Sequence, residues 1–369
     1  MVTVLHYAPG FRNGGIESRL LDWYRNIDRS LIRFVLVKLN TEDDTDNIRE
    51  FIELGGTFYN LPPFSLHSAL SFSQRIREIL AQEKVDIVHV HDVNSGVFVL
   101  REAKKNGIKC RILHSRTTSN LPHEKHVFIK SFFRKVAPIY ANFYFACSVE
   151  AGIWGIGKRY QKVTSVIKNG IQVERFRFDE NRRDSIRLQL GVANKIVIGT
   201  VGRLSDQKNI PFLVEVFNRL IKENKDYRLV IVGDGDRTIL QRCFQKNSIS
   251  QYVIVVGEKK NVWDYYMSFD IFCGTSLYEG FGTTAIESQA SGLPTLVSEG
   301  FPESVAITDF IWRLPLDNQE KWVDTIKNNI GKRFAQNGLD MVNSSGYNAY
   351  NVAKELEAFY LTNARGGNN

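Results

Sequence analysis

Glu279 and Glu287 stand on either side of Gly280-Phe281-Gly282-Thr283-Thr284-Ala285-Ile286, a spacing that sets one carboxylate before a helix and the other one turn into it. The apolar run 270–276 delivers the chain to Glu279, and Gly280 and Gly282 permit a tight bend. Thr283 or Thr284 can cap a helix running to Ser291, which Gly292 and Pro294 then stop. Free N–H groups at a helix start, with the helix dipole, attract phosphate oxygens, and a carboxylate one turn in can accept ribose hydroxyls. The stretch reads as a socket for a sugar nucleotide, with Glu279 toward the sugar and Glu287 toward the ribose. A structural role competes, because Thr284 and Glu287 also have capping-box spacing.

Other residues could serve the same ligand. Arg203 and Lys208 lie five residues apart after a strand end; a planar fork and a mobile point charge suit a diphosphate, although two surface cations would look the same in sequence. Gly14 and Gly15 sit between a strand and a helix, where missing side chains let backbone N–H groups approach a ligand, or merely form a tight turn. His89, His91 and Asp92 suggest a metal, but the two histidines share a strand face with no further ligand nearby in sequence, and no metal is expected. Asp234-Gly235-Asp236 follows an apolar strand and reads as a turn.

The elements that must position these groups alternate between β-branched runs and helical patterns, the sign of α/β architecture with parallel sheets. Strands are expected over 2–7, 34–39, 85–91, 109–114, 142–147 and 163–167, with helices over 16–27 and 72–82. The pattern restarts with strands over 197–201, 228–232, 252–256, 271–275 and 295–298 and helices over 211–223 and 237–246. Asn169-Gly170 is a turn signal and a plausible hinge. The division is therefore 1–170 and 171–346, with a terminal helix at about 347–369 crossing back to the first domain. Two doubly wound domains facing one cleft would present the carboxyl ends of both sheets to a ligand.

The 369 residues, 43% hydrophobic and 24% charged, suit two globular domains. No run approaches the roughly 20 apolar residues of a membrane span, and the N-terminus lacks a basic leader, so the cytoplasm is the expected compartment. Four scattered cysteines fit neither a zinc nor a redox spacing. The formal charge of +8 falls within residues 1–170 (24 basic, 16 acidic), and 101–170 alone hold 14 basic against 3 acidic residues. Such a surface suits an anionic partner. The basic stretch lacks a nucleic-acid recognition module. Instead, a helix over 125–136 would gather Phe128, Phe132 and Val136 beside Lys125, Lys130, Arg134 and Lys135, a pattern suited to an anionic bilayer; packing of these aromatics into the core is the alternative.

In order and spacing, Asn13-Gly14-Gly15-Ile16-Glu17, the 85–91 and 111–115 strands, 145–148, Asn169-Gly170, the 201–208 and 229–235 segments and the paired glutamates resemble the retaining glycosyltransferases of family four, of GT-B fold. The likeness spans nearly the whole chain and is strongest to bacterial members that build capsular polysaccharide or exopolysaccharide. It implies that Arg203 and Lys208 contact the donor diphosphate, that His114 hydrogen-bonds the donor sugar, and that Gly14, Gly15, Gly280, Phe281, Gly282, Thr283 and Glu287 line the donor site. It also implies front-face attack without a covalent nucleophile, catalytic roles for His114, Arg203, Lys208 and Glu279, and no metal cofactor. Gln172 and Thr275 depart from the family's usual acidic residue and proline. The expected partners are a nucleotide-sugar donor, read as a UDP-sugar, a lipid-linked saccharide acceptor and an anionic membrane surface, with no nucleic acid. The rivals are a catalytically silent partner subunit and a nucleotide-sugar epimerase of the same fold.

Overall fold

The computed structural model describes residues 1–9, 15–39, 46–65, 67–118, 127–236, 238, 240–241, 244 and 249–364. Gly14, Lys125 and most of the 237–246 helix lie outside the described residues. The chain forms two compact units, Met1–Ile171 with Ala349–Asn369, and Gln172–Asn348.

The first unit contains strands β1 (Val2–Tyr7), β2 (Ile32–Leu39), β3 (Thr57–Leu61), β4 (Ile87–Val90), β5 (Cys110–Ser115), β6 (Phe143–Ala146) and β7 (Thr164–Val166). They form one sheet in the order β3-β2-β1-β4-β5-β6-β7, with every pairing parallel. Alternate residues feed two cores, as the two-residue strand period demands. Leu5, Val35, Val88 and Leu113 pack with helices α3 (Ala69–Gln82) and α4 (Gly96–Lys105). Val4, Phe34, Ile87 and Ile112 pack with helix α1 (Gly15–Asn26) and with the terminal helix Ala349–Ala364 through Val352, Leu356 and Tyr360. Helices α2 (Asp46–Glu53), α5 (Val127–Val136) and α6 (Val149–Gly155) complete this part of the unit.

The second unit contains strands β8 (Ile196–Val201), β9 (Tyr227–Val232), β10 (Val253–Gly257), β11 (Ile271–Gly274), β12 (Thr295–Ser298) and β13 (Ile311–Leu314), all parallel, in the order β10-β9-β8-β11-β12-β13. Its described helices are α7 (Glu180–Gln189), α8 (Ile210–Glu223), α9 (Val262–Ser268), α10 (Thr283–Ala290), α11 (Gln319–Asn329) and α12 (Ala335–Val342). Phe217, Leu229, Ile231, Ile271 and Trp322 share its core.

Both sheets are therefore Rossmann-like. Their order reverses between β1 and β4 and again between β8 and β11, and ligands of such sheets bind outside the strand carboxyl ends at that reversal. Edge strands β3 and β13 were not expected from the sequence. Both are largely half-buried, so the continuous apolar run that marks a central parallel strand is absent from them.

Candidate active site

At the reversal of the second sheet, Lys208 leaves β8 in the short turn Asp206–Lys208, just before Asn209, whose left-handed backbone (φ 47°) starts α8. Its Nζ donates to Glu279 Oε1 at 2.6 Å, and the Ser276 hydroxyl donates to the same oxygen at 2.7 Å. Both charged side chains are largely enclosed, 18% and 11% exposed, so this is a sheltered pair rather than a surface one. The Lys208 stem passes against Gly202 (φ +150°), where a Cβ would come within 2.9 Å of Lys208 Cε; glycine is required there. Thr275 holds the Lys208 backbone by donating to the carbonyls of Lys208 and Asn209, 3.1 Å each. The residue that departs from the family's usual proline is thus the one that fixes this lysine.

Lys208, Thr275 and Ser276 line a small cavity together with Thr200, Gly202 and Thr284. The adjoining helix α10 starts after Gly282, whose φ of +81° is the left-handed conformation that its tight bend needs; a Cβ there would meet Phe301 and Val305. Gly282 itself is the N-cap, in place of Thr283 or Thr284, and no side chain caps the helix. The capping-box reading of Glu287 therefore fails. Its carboxylate, on a residue 9% exposed, accepts from the Tyr266 hydroxyl at 2.9 Å. Burial, then the Glu287 charge, raises the Tyr266 pKa well above its ordinary value, which keeps the phenol a donor. Arg203 is exposed and acts electrostatically on the Tyr278 phenol. Phe281, expected at the donor, is 7% exposed with its ring against Tyr347, so only its backbone is left to face a ligand. Asp236 accepts from the Thr238 backbone and hydroxyl, consistent with a turn.

The reversal of the first sheet is built differently. His6 (β1), His89 and His91 (at and just past β4) and His114 (β5) are all fully or almost fully buried. His89 Nε2 meets His114 Nδ1 at 2.9 Å, and His89 Nδ1 meets the Tyr360 hydroxyl at 2.7 Å. His6 Nδ1 meets His91 Nε2 at 3.0 Å, and Trp23 stacks on His89 and His114. His114, expected at the donor sugar, has no solvent-exposed surface and lies against Trp23 and Phe145, while its Nε2 is buried without a hydrogen-bond partner. Burial, reinforced by the Arg116 charge, lowers His6 to about 3, and burial lowers His89, His91 and His114 well below the ordinary imidazole value.

His6 supplies the third ligand that the sequence around His89 and His91 lacked, and one nitrogen from each of the three lies within 4.8 Å of the others. Asp92 does not join them; it accepts from the Ser95 backbone at 2.7 Å. The nitrogens are also committed to one another. Arg116 Nε–H can only donate, so His91 Nδ1 accepts at 3.3 Å, His91 carries its proton on Nε2, and that proton points at His6 Nδ1. His6 then accepts through Nδ1 and keeps its proton on Nε2, so the lone pairs of His91 Nδ1 and His6 Nδ1 are engaged by Arg116 and His91.

Helix α5 exposes Phe128 (91%) and Phe132 (62%), whereas Phe133 and Val136 pack against the core. Val136 thus leaves the face expected for it, and the alternative that buries Phe128 and Phe132 is excluded. Lys135 is exposed, Lys130 is partly exposed, and Arg134 stacks on Trp154 at 4.1 Å. Among the described residues, no helix is long and apolar enough to cross a membrane.

Two parallel Rossmann-like units are the architecture of the GT-B fold. The pattern of Glycosyl transferases group 1 matches residues 182–343, and that of Glycosyltransferase Family 4 matches 13–175. The chain belongs to glycosyltransferase family four. It is 28% identical to EpsF of Bacillus subtilis (strain 168), described as a glycosyltransferase, over 96% of this chain and 97% of that protein. It is also 28% identical to the UDP-Gal:alpha-D-GlcNAc-diphosphoundecaprenol alpha-1,3-galactosyltransferase of Escherichia coli, over 60% and 59% of the two chains. In fold it is similar to Anabaena HepE in complex with UDP and glucose (TM-score 0.78, 16% identity, 98% and 100% covered) and to a glycosyltransferase of Rickettsia africae (TM-score 0.83, 17% identity, 99% of each covered).

Proposed function

We propose that this glycosyltransferase moves a sugar from a UDP-sugar to a lipid-linked saccharide, with retention at the anomeric carbon and without a metal ion, in capsular or exopolysaccharide synthesis. The observation that carries the reading is the Lys208, Glu279 and Ser276 cluster beside the start of α10, with Glu287 one turn in. Lys208 and Arg203 take the donor diphosphate, and a phosphate that draws Lys208 away frees Glu279 to accept sugar hydroxyls. Glu287, oriented by Tyr266, accepts the ribose hydroxyls. Gly15, Gly280 and Thr283 supply backbone or hydroxyl donors. The anomeric C–O bond breaks with its electrons going to the diphosphate, the acceptor oxygen bonds on the same face, and its proton passes to the departing phosphate. Catalysis here is leaving-group stabilisation and positioning.

UDP as the donor nucleotide is supported by the names of the E. coli relative and of the HepE complex, and a lipid-linked acceptor by the former. The exposed Phe128 and Phe132 beside basic residues support a peripheral position on the cytoplasmic membrane face. The test screens purified protein against nucleotide sugars, following nucleotide release with and without membrane lipid extract, and compares Glu279→Ala. Release from one donor that needs acceptor and disappears in the variant is expected. Release without acceptor would point to an epimerase, and neither binding nor release across UDP-, GDP- and ADP-sugars would point to a silent subunit.

A further inference from the structure

Buried arginines in this protein are normally satisfied. Arg187 is held by the Asp270 carboxylate at 3.2 Å and the Ser268 carbonyl at 2.8 Å. Arg333 is spread over the carbonyls of Ser291, Met267 and Phe269, at 2.8, 3.1 and 2.6 Å. Arg116, just past β5 at the reversal of the first sheet, is not. Its Nε donates to His91, one terminal nitrogen donates to Asn169 Oδ1, and its plane lies on Trp23 at 4.7 Å, all neutral groups. Its other terminal nitrogen is buried without a hydrogen-bond partner. Among the described residues no carboxylate pairs with it, and the charge acting against it is that of another cation, Arg19. Arg19 in turn donates to the Gly170 carbonyl, so Asn169-Gly170 holds both arginines in place.

A buried guanidinium without a counter-charge is costly, and the cost is removed when an anion completes its fork. Burial lowers the Arg116 pKa to about 10, so it remains a cation at neutral pH. Its position is also the one where a doubly wound sheet binds ligands. Part of the residue is exposed, although the unpartnered nitrogen itself is covered.

We propose that Arg116 is the anion-binding residue of the first unit, taking a phosphate or diphosphate group at the carboxyl ends of β1, β4 and β5. Assigning that group to the lipid-linked acceptor rests on the function proposed above; the anion site itself does not.

The experiment uses the full chain carrying Arg203→Ala and Lys208→Ala, which weakens the donor diphosphate site, and titrates it calorimetrically with inorganic pyrophosphate and with geranyl diphosphate. One anion site should remain. Adding Arg116→Gln should weaken it at least a hundredfold, and Arg116→Lys, which keeps the charge but loses the fork, about tenfold. Tighter binding of geranyl diphosphate than of pyrophosphate, both dependent on Arg116, identifies a lipid diphosphate; equal binding identifies a bare phosphate group. No remaining pyrophosphate site, or an affinity indifferent to Arg116→Gln, overturns the proposal. If Arg116→Gln does not fold, an unchanged affinity in Arg116→Lys does so instead. Retention of full UDP affinity in the Arg203→Ala, Lys208→Ala background would count against the donor assignment alone.

Discussion

The two sheet reversals share one topology and treat charge in opposite ways. In the second unit, Lys208 and Glu279 meet as a formed ion pair with Ser276 completing the carboxylate. In the first, four imidazoles are held neutral by burial, and among the described residues Arg116 beside them has no carboxylate partner. A paired site is stable without ligand and must exchange partners to bind one, whereas an unpaired cation is completed by its ligand. The same fold thus offers one edge suited to exchange and one suited to capture.

Breaking the pair should give the largest effect. Lys208→Ala is expected to lower turnover on the order of 100-fold or more, because it removes leaving-group stabilisation and the counter-charge of Glu279; Arg203→Ala should fall in the same range. Near-normal nucleotide release in either would remove the diphosphate assignment.

The histidine edge should respond to acid. A histidine whose folded pKa is depressed contributes stability above the unfolded value near 6.5, and that stability is lost as pH falls below it, for His6 down to about 3. Each buried imidazole then costs about 1.4 kcal/mol per pH unit, the four together proportionately more. Urea melts between pH 7.5 and 5, with near-ultraviolet circular dichroism reporting the packing around Trp23, should show the first unit failing first. A midpoint that does not move over that range would contradict the neutral cluster.

Exposed aromatics sharpen the contrast on the outer surface. Phe128→Ser and Phe132→Ser should each weaken binding to anionic vesicles about tenfold, the cost of one lost aromatic insertion. Thermal stability should be unaltered, because neither ring packs in the core. Retained vesicle binding in the double variant would overturn the membrane role proposed for Phe128 and Phe132.

The smallest effect is expected at Tyr266→Phe. Removing one hydrogen bond to Glu287, worth about 1 kcal/mol, should weaken UDP binding several-fold with little change in turnover. An unchanged UDP affinity would return Glu287 to a purely structural role.

Much of this was legible in the chain itself. Continuous apolar runs at β1, β5, β8, β9 and β12 announced parallel strands because such strands are buried on both faces, and Gly282 announced its bend because only glycine is at ease at that φ. Lys208 and Glu279 both stand out in the chain, but their direct pairing across 71 residues does not. Edge strands β3 and β13 escaped because each mixes polar with apolar residues, unlike the edge strand β10, whose Val253–Val256 run is apolar. Thr275 was noticed as a departure, but its hold on the Lys208 carbonyl is visible only once β11 lies beside β8.

By itself, then, the sequence determined the local grammar: the alternation of strand and helix, the glycine bend before α10, the family, and which side chains carry charge. Tertiary structure decided which of those charges are paired and which histidines are sealed. His6 and His91 lie 85 residues apart and meet only because β1 and β4 are neighbours in the sheet. His114 and Arg116 lie two apart and differ in fate because one falls inside β5 and the other just beyond its end. Hydrophobic periodicity is a short-range property that a chain shows residue by residue; burial and pairing depend on what a distant segment brings alongside.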